Sequence, residues 1–205
     1  MPFGKGRGRA VLIWLAVLGL MIVPAALAAA SPFLAYRDAP YIAGGFAGIL
    51  ALALLLPKPL MAAGWLPGLE GPRGRRWHRW VGALLVACVV VHVGGLFVAS
   101  PPDTLDALLL VSPTPFSVYG VTAMWAVLLT ALLVALRRRL GLRPVVWNVL
   151  HNALALVVVV ATVVHAVQIQ GAMEIVSKWV LCLAVIAVSV AVLFDLRIRK
   201  ALRRR

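Results

Sequence analysis

Residues 78–92 read HRWVGALLVACVVVH, and residues 151–165 read HNALALVVVVATVVH. Each stretch opens and closes on a histidine. These four, His78, His92, His151 and His165, are all the histidines in the chain, and each pair is separated by 14 residues. In an α-helix 14 residues turn to about 40° short of four full turns and rise about 21 Å. Both histidines of a pair therefore share one helix face at two depths. Almost everything between them is apolar, so the helices that carry them belong in lipid.

The rest of the chain agrees with that environment. Of its 205 residues 63% are hydrophobic and 13% charged, and the mean hydropathy is +1.03. An ordinary soluble domain has about 45–50% apolar and about 25% charged residues. A soluble enzyme and a disordered chain are both excluded. The length suits one domain, 1–205, and is short for a membrane domain plus a catalytic one. Six apolar stretches run roughly over 10–30, 41–63, 79–99, 116–136, 145–168 and 175–196. A bilayer forces backbone groups to pair within each segment, so all six are expected to be helices. The expected fold class is all-α, an integral membrane bundle of six helices. The first stretch also resembles a signal peptide, with Lys5, Arg7 and Arg9 ahead of an apolar core and Ala26-Leu27-Ala28 as a cleavage site. Its apolar character continues to Tyr36, long enough to span, and it is read as a retained first helix.

The net charge is +14 and the pI about 11.6. The charges sit in short clusters between apolar runs, which favours the positive-inside bias of membrane proteins over nucleic-acid binding. Taking alternate loops together, one set holds 18 of the 20 basic residues, including Lys58, Arg73, Arg75, Arg76, Arg79, Arg137–Arg139, Arg143 and the tail from Arg197. The other set holds Arg37 and Lys178, with Asp38, Asp103, Asp106 and Glu174. Both termini are expected in the cytoplasm, with lipid phosphates meeting most of the charge. Arginine outnumbers lysine 16 to 4 among abundant Ala, Leu and Val, which suggests a GC-rich bacterial gene and hence a bacterial inner membrane. The proline-containing loop 100–115 is expected to lie along the outer surface. Cys88 and Cys182 fall inside apolar runs and are read as reduced packing residues, too few for a zinc site. No phosphate-binding glycine loop, catalytic serine set or paired carboxylates can be assembled.

The third and fifth spans both run outward, so they are parallel. Side by side they set His78 opposite His151 and His92 opposite His165. A bis-imidazole pair across two helices is how a bundle holds haem axially. The facing rows, His78-Gly82-Leu85-Val89-His92 and His151-Ala155-Val158-Thr162-His165, are small or apolar and leave room for flat macrocycles. Two haems are expected between the third and fifth helices, with the four histidines as iron ligands. Arg75, Arg76, Arg79 and Arg143 lie near the inner pair and are candidates to neutralise haem propionates.

The strings Arg75-Arg76-Trp77-His78-Arg79-Trp80-Val81-Gly82 and Trp147-Asn148-Val149-Leu150-His151-Asn152, each with its second histidine, resemble the ferric reductase-like transmembrane domain. That superfamily includes ferric reductases, NADPH oxidases and the haem-binding subunit of the periplasmic methionine sulfoxide reductase. The resemblance covers 72–168 and implies that the four histidines ligate two b-type haems carrying electrons outward. Larger members continue into a flavin and nicotinamide domain. Here about ten residues follow the last span, so the donor is expected to be a separate cytoplasmic flavin reductase, a flavin (FMN or FAD) or a quinone. The oxidases also place an extra histidine near the outer haem; with no fifth histidine here, superoxide production is not expected. The acceptor lies at the outer face, with a periplasmic redox partner such as a methionine sulfoxide reductase as the alternative. Respiratory cytochrome b shares the paired histidines but has longer quinol-site loops. A haem-free transporter or scaffold with proton-relay histidines is the rival of another class.

Overall fold

The computed structural model describes residues 3–202, with side chains from 6 to 196. The basic tail from Arg197 and the cation Lys5 lie outside the described side chains. Eight α-helices follow in order: α1 (Phe3–Ala29), α2 (Ala39–Leu54), α3 (Pro57–Ala63), α4 (Gly71–Ala99), α5 (Pro101–Leu108), α6 (Pro115–Leu140), α7 (Pro144–Gln168) and α8 (Ile175–Leu202). Among the described residues six spans are long and apolar enough to cross a membrane, α2 and α3 counting as one over Ala39–Ala63. The chain is a multi-pass membrane protein, as the six apolar stretches predict.

Proline marks the starts. It occupies one of the first two positions of α2, α3, α4, α5, α6 and α7. There its missing N–H costs nothing and its fixed φ suits the helix. Other ends are held by polar groups. Asp38 accepts from the Tyr41 N–H at the start of α2. The Glu174 carboxylate accepts from the N–H groups of Val176 and Ser177 at the start of α8, each at 2.7 Å. These backbone donors hold the Glu174 carboxyl below its ordinary range. Gly64 and Gly141 end α3 and α6 with φ of 71° and 53°, a conformation that glycine adopts without steric penalty.

Two details depart from the expected spans. The second is not one straight helix. It tightens at Leu55 and Leu56, whose N–H groups bond three residues back, and restarts at Pro57. Pro57 and Pro59 remove two donors that a continuous helix needs. The outer connection, expected to lie along the surface, contains the short helix α5.

The closest helix packing pairs α2 with α4 and α6 with α7. Gly44 and Gly95 let α2 and α4 nearly touch: a Cβ on Gly95 would stand 2.6 Å from the Pro40 carbonyl oxygen. Small residues at helix crossings provide this closeness in membranes, where there is no hydrophobic drive between helices. By contrast, α4 and α7 scarcely approach backbone to backbone. The buried core runs through Leu52, Leu56, Leu85, Val158, Leu181 and Val185. Large apolar side chains such as Leu12, Trp80, Val98 and Phe194 point outward. On a soluble protein they would form an untenable patch; in a bilayer they are the lipid face.

Candidate functional site

All four histidines point into the space between α4 and α7. The rings of His78 and His151 face each other with centroids 6.3 Å apart and planes at 62°. His92 and His165 repeat the arrangement at 6.3 Å and 79°. The first pair forms an inner level on the arginine-rich side, and the second an outer level. Leu85 and Val158, between the levels in sequence, are both buried in the core.

The rings are aimed by backbone. His92 Nδ1 donates to the Gly44 carbonyl at 2.8 Å, and His165 Nδ1 donates to the Phe116 carbonyl at 2.8 Å. His78 Nδ1 donates to the Lys58 carbonyl at 3.0 Å. A carbonyl can only accept, so in these three rings the proton sits on Nδ1 and Nε2 keeps its lone pair. At the outer level a shared device makes room. Four residues after each accepting carbonyl comes a glycine, Gly48 or Gly120. A Cβ there would stand 2.7 Å from His92 Nδ1 or 2.6 Å from His165 Cε1.

His151 is held differently. Its Nδ1 is buried with no hydrogen-bond partner among the described residues. Instead its ring stacks on Trp147, with centroids 5.5 Å apart and planes 10° from parallel. The guanidinium of Arg137 sits 4.5 Å over the Trp147 ring. Cation, indole and imidazole thus form one layered stack entering from the arginine-rich side.

The four arginines singled out in the sequence stay at the surface. Arg75, Arg76, Arg79 and Arg143 are all exposed. Arg76 and Arg79 line an open cleft of about 590 Å³ with Trp80 and Ala83 on the outside of α4. Among the described residues, the cations whose charge bears on the inner histidines are Lys58, on both rings, and Arg137, on His151. In the sequence both belong to the basic residues that set topology. The one signal for Lys58 was its position inside an apolar run, flanked by Pro57 and Pro59.

Cys88 and Cys182 are buried and free, as their packing role requires. Among the described residues no group of three or more His, Cys, Asp and Glu comes together as a metal site. What the structure assembles is two opposed imidazole pairs at two depths, with three of the four rings tethered through Nδ1.

The family model of the ferric reductase like transmembrane component matches residues 45–162, more than half of the chain. The chain belongs to this family. The matched segment runs from α2 to α7, the helices that carry or orient both histidine levels. It contains His78, His92 and His151, and His165 lies three residues beyond it. Searches of curated proteins and of solved structures give no match. Membership of the ferric reductase-like family suggests transmembrane electron transfer.

Proposed function

We propose that this ferric reductase-like protein moves single electrons outward across a bacterial inner membrane through two b-type haems. His78 and His151 would hold the inner haem, and His92 and His165 the outer one. The facing of the rings carries this reading. A ligating imidazole nitrogen lies about 2 Å from its metal. The ring centre lies roughly 1 Å behind that nitrogen, so two imidazoles on opposite sides of one metal have centres about 6 Å apart. Both observed separations are 6.3 Å. Three tethered Nδ1–H groups leave Nε2 as the ligating atom, the tautomer control that metal-bound histidines use. The sparse contact between α4 and α7 supports a flat group between them.

Haem would supply a one-electron couple at each level. The chain supplies the rest. Two imidazoles at each level would be committed to holding the group, so an acceptor would dock outside the bundle. Leu85 and Val158 pack the region between the levels and exclude water. The basic side faces the cytoplasm, and both termini lie there by the positive-inside rule. An inside-negative potential then favours outward electron movement by about 2.3 kcal/mol per 100 mV. The donor would be a cytoplasmic flavin reductase, a flavin or a quinone, and the acceptor an outer-face oxidant or a periplasmic redox enzyme.

Pyridine haemochrome analysis against protein mass tests this directly. The expected result approaches two haems per chain, with sharp reduced-minus-oxidised bands. A colourless, folded preparation would sink it in favour of proton-relay histidines.

A further inference from the structure

Lys58 is the one charged residue in the span Ala39–Ala63. A charge at membrane depth is retained where it has a partner. Its side chain runs inward along α4, and its ammonium lies 2.9 Å from the position that a Cβ on Gly82 would take. Gly82 is one turn beyond His78 on the helix row that faces α7. Lys58 therefore reaches past the inner histidine pair toward the middle of the bundle. Leucine or valine at position 82 would block it.

No carboxylate pairs with Lys58 among the described residues. Glu70 accepts from the Gly68 N–H, and Asp195 accepts from the Trp65 indole. Asp38, Asp103, Asp106 and Glu174 belong to the opposite, arginine-poor side. The charge of Lys58 acts on His78 and His151, and Arg137 adds a second positive charge that acts on His151. The inner level is thus lined by cations from two elements and holds no acid of its own. A half-buried ammonium in such a place needs an anion.

We propose that Lys58 binds a carboxylate at the inner histidine level, a propionate of the inner haem, and raises the reduction potential of that centre. This rests on the haem reading above. Lys58 then acts on one redox centre in two ways. Its carbonyl orients His78 through the Nδ1–H bond, and its ammonium holds the acid and favours the added electron. Pro57 and Pro59 restrain the backbone on either side, so carbonyl and side chain keep their relative directions.

The test is spectroelectrochemical titration of the purified holoprotein and three variants, with haem content measured for each. Lys58→Met keeps length and removes charge. It is expected either to lose the inner haem alone or to keep it at a lower potential, with the outer potential unchanged. Lys58→Arg keeps the charge and is expected to restore the wild-type inner potential. Gly82→Ala displaces only the flexible end of Lys58; it is expected to lower the inner potential by less, and it decides the matter if Lys58→Met fails to fold. Two haems in Lys58→Met or Gly82→Ala, with the inner potential unchanged, would overturn the role of Lys58 and leave the haem reading standing. Wild-type protein without haem would overturn both.

Discussion

The imidazole of His92 lies on Gly48: a Cβ at that glycine would stand 2.7 Å from Nδ1. The same ring donates to the carbonyl of Gly44, one turn earlier on α2. On α6, Phe116 and Gly120 treat His165 in the same way. The outer level is therefore built by four helices, two that carry the histidines and two that supply a carbonyl and a gap. Each gap is filled by the histidine ring itself, three of whose atoms would stand within 3.4 Å of an added Cβ, so a methyl group there has no flexible chain end to displace.

Gly48→Ala and Gly120→Ala are each expected to disturb the outer pair and spare the inner. Overpacking of this kind costs about 1–3 kcal/mol, enough to tilt the ring from its carbonyl without unfolding the bundle. Haem content should fall from about two toward one, and the remaining centre should have the same potential in both variants. Haemochrome assay with redox titration measures this, and loss of the inner centre instead would contradict the geometry.

How much of this was readable beforehand follows from what each feature depends on. The six spans depend on composition and length, and the level pairing on equal spacing along parallel helices; both are properties of the chain itself. The carbonyl tethers depend on which helix packs against which, and nothing local at Gly44 or Phe116 reports that α2 lies on α4 or α6 on α7. Closeness in sequence does not fix the direction of a side chain. Arg76 is two residues from His78, which is about 200° around a helix, so it faces outward with Trp80. Lys58, twenty residues away in sequence, is the cation beside the inner pair. The kink at Leu55-Leu56 had its signal in Pro57 and Pro59, but a hydropathy run does not register a missing N–H.

Replacing single histidines should sort into two classes. His78→Ala and His151→Ala are expected to remove the same inner centre, His92→Ala and His165→Ala the outer one. Titration of the four variants should leave two remaining potentials, each shared by two variants. Four distinct patterns would mean that the pairs do not act across α4 and α7.

The ring planes carry a spectroscopic consequence. They cross at 62° in the inner pair and 79° in the outer. Nearly perpendicular axial imidazoles leave two iron d orbitals close in energy, which makes low-spin ferric haem strongly anisotropic. On the two-haem reading, with the rings held at these angles, both centres should give such signals by electron paramagnetic resonance, the outer more extreme than the inner. Rhombic spectra of the kind parallel imidazoles give, from either centre, would show that its rings turn on binding.

Glu174 sets a pH limit on α8. Its carboxylate accepts from the Ser177 and Val176 N–H groups, which depresses its pKa. A depressed carboxyl contributes stability above its unfolded pKa of about 4.3 and loses it as pH falls through the folded value. Glu174→Gln should therefore lower the thermal midpoint in detergent at neutral pH. The gap between variant and wild type should close as pH drops below the ordinary glutamate range. A gap that persists unchanged in acid would assign the effect to something other than the ionised cap.

The two levels differ in how their histidines are tethered, and on the two-haem reading that difference orders their potentials. At the outer level both Nδ1–H groups donate to carbonyls at 2.8 Å. At the inner level one does, at 3.0 Å, while His151 Nδ1 has no partner among the described residues. A hydrogen bond from Nδ1 pushes electron density toward Nε2, making the imidazole a stronger donor that favours ferric over ferrous iron. Two such bonds lower the outer potential more than one lowers the inner, so the inner centre is expected to titrate at the higher potential. The inner centre would then be reduced first, and onward transfer would rely on the inside-negative membrane potential and on removal by the acceptor. Lys58→Arg should preserve this order because it keeps both the charge and the carbonyl. Titration of wild-type protein, with each step assigned through the single-histidine variants, measures the order; an outer centre reduced at higher potential would show that tethering does not govern it.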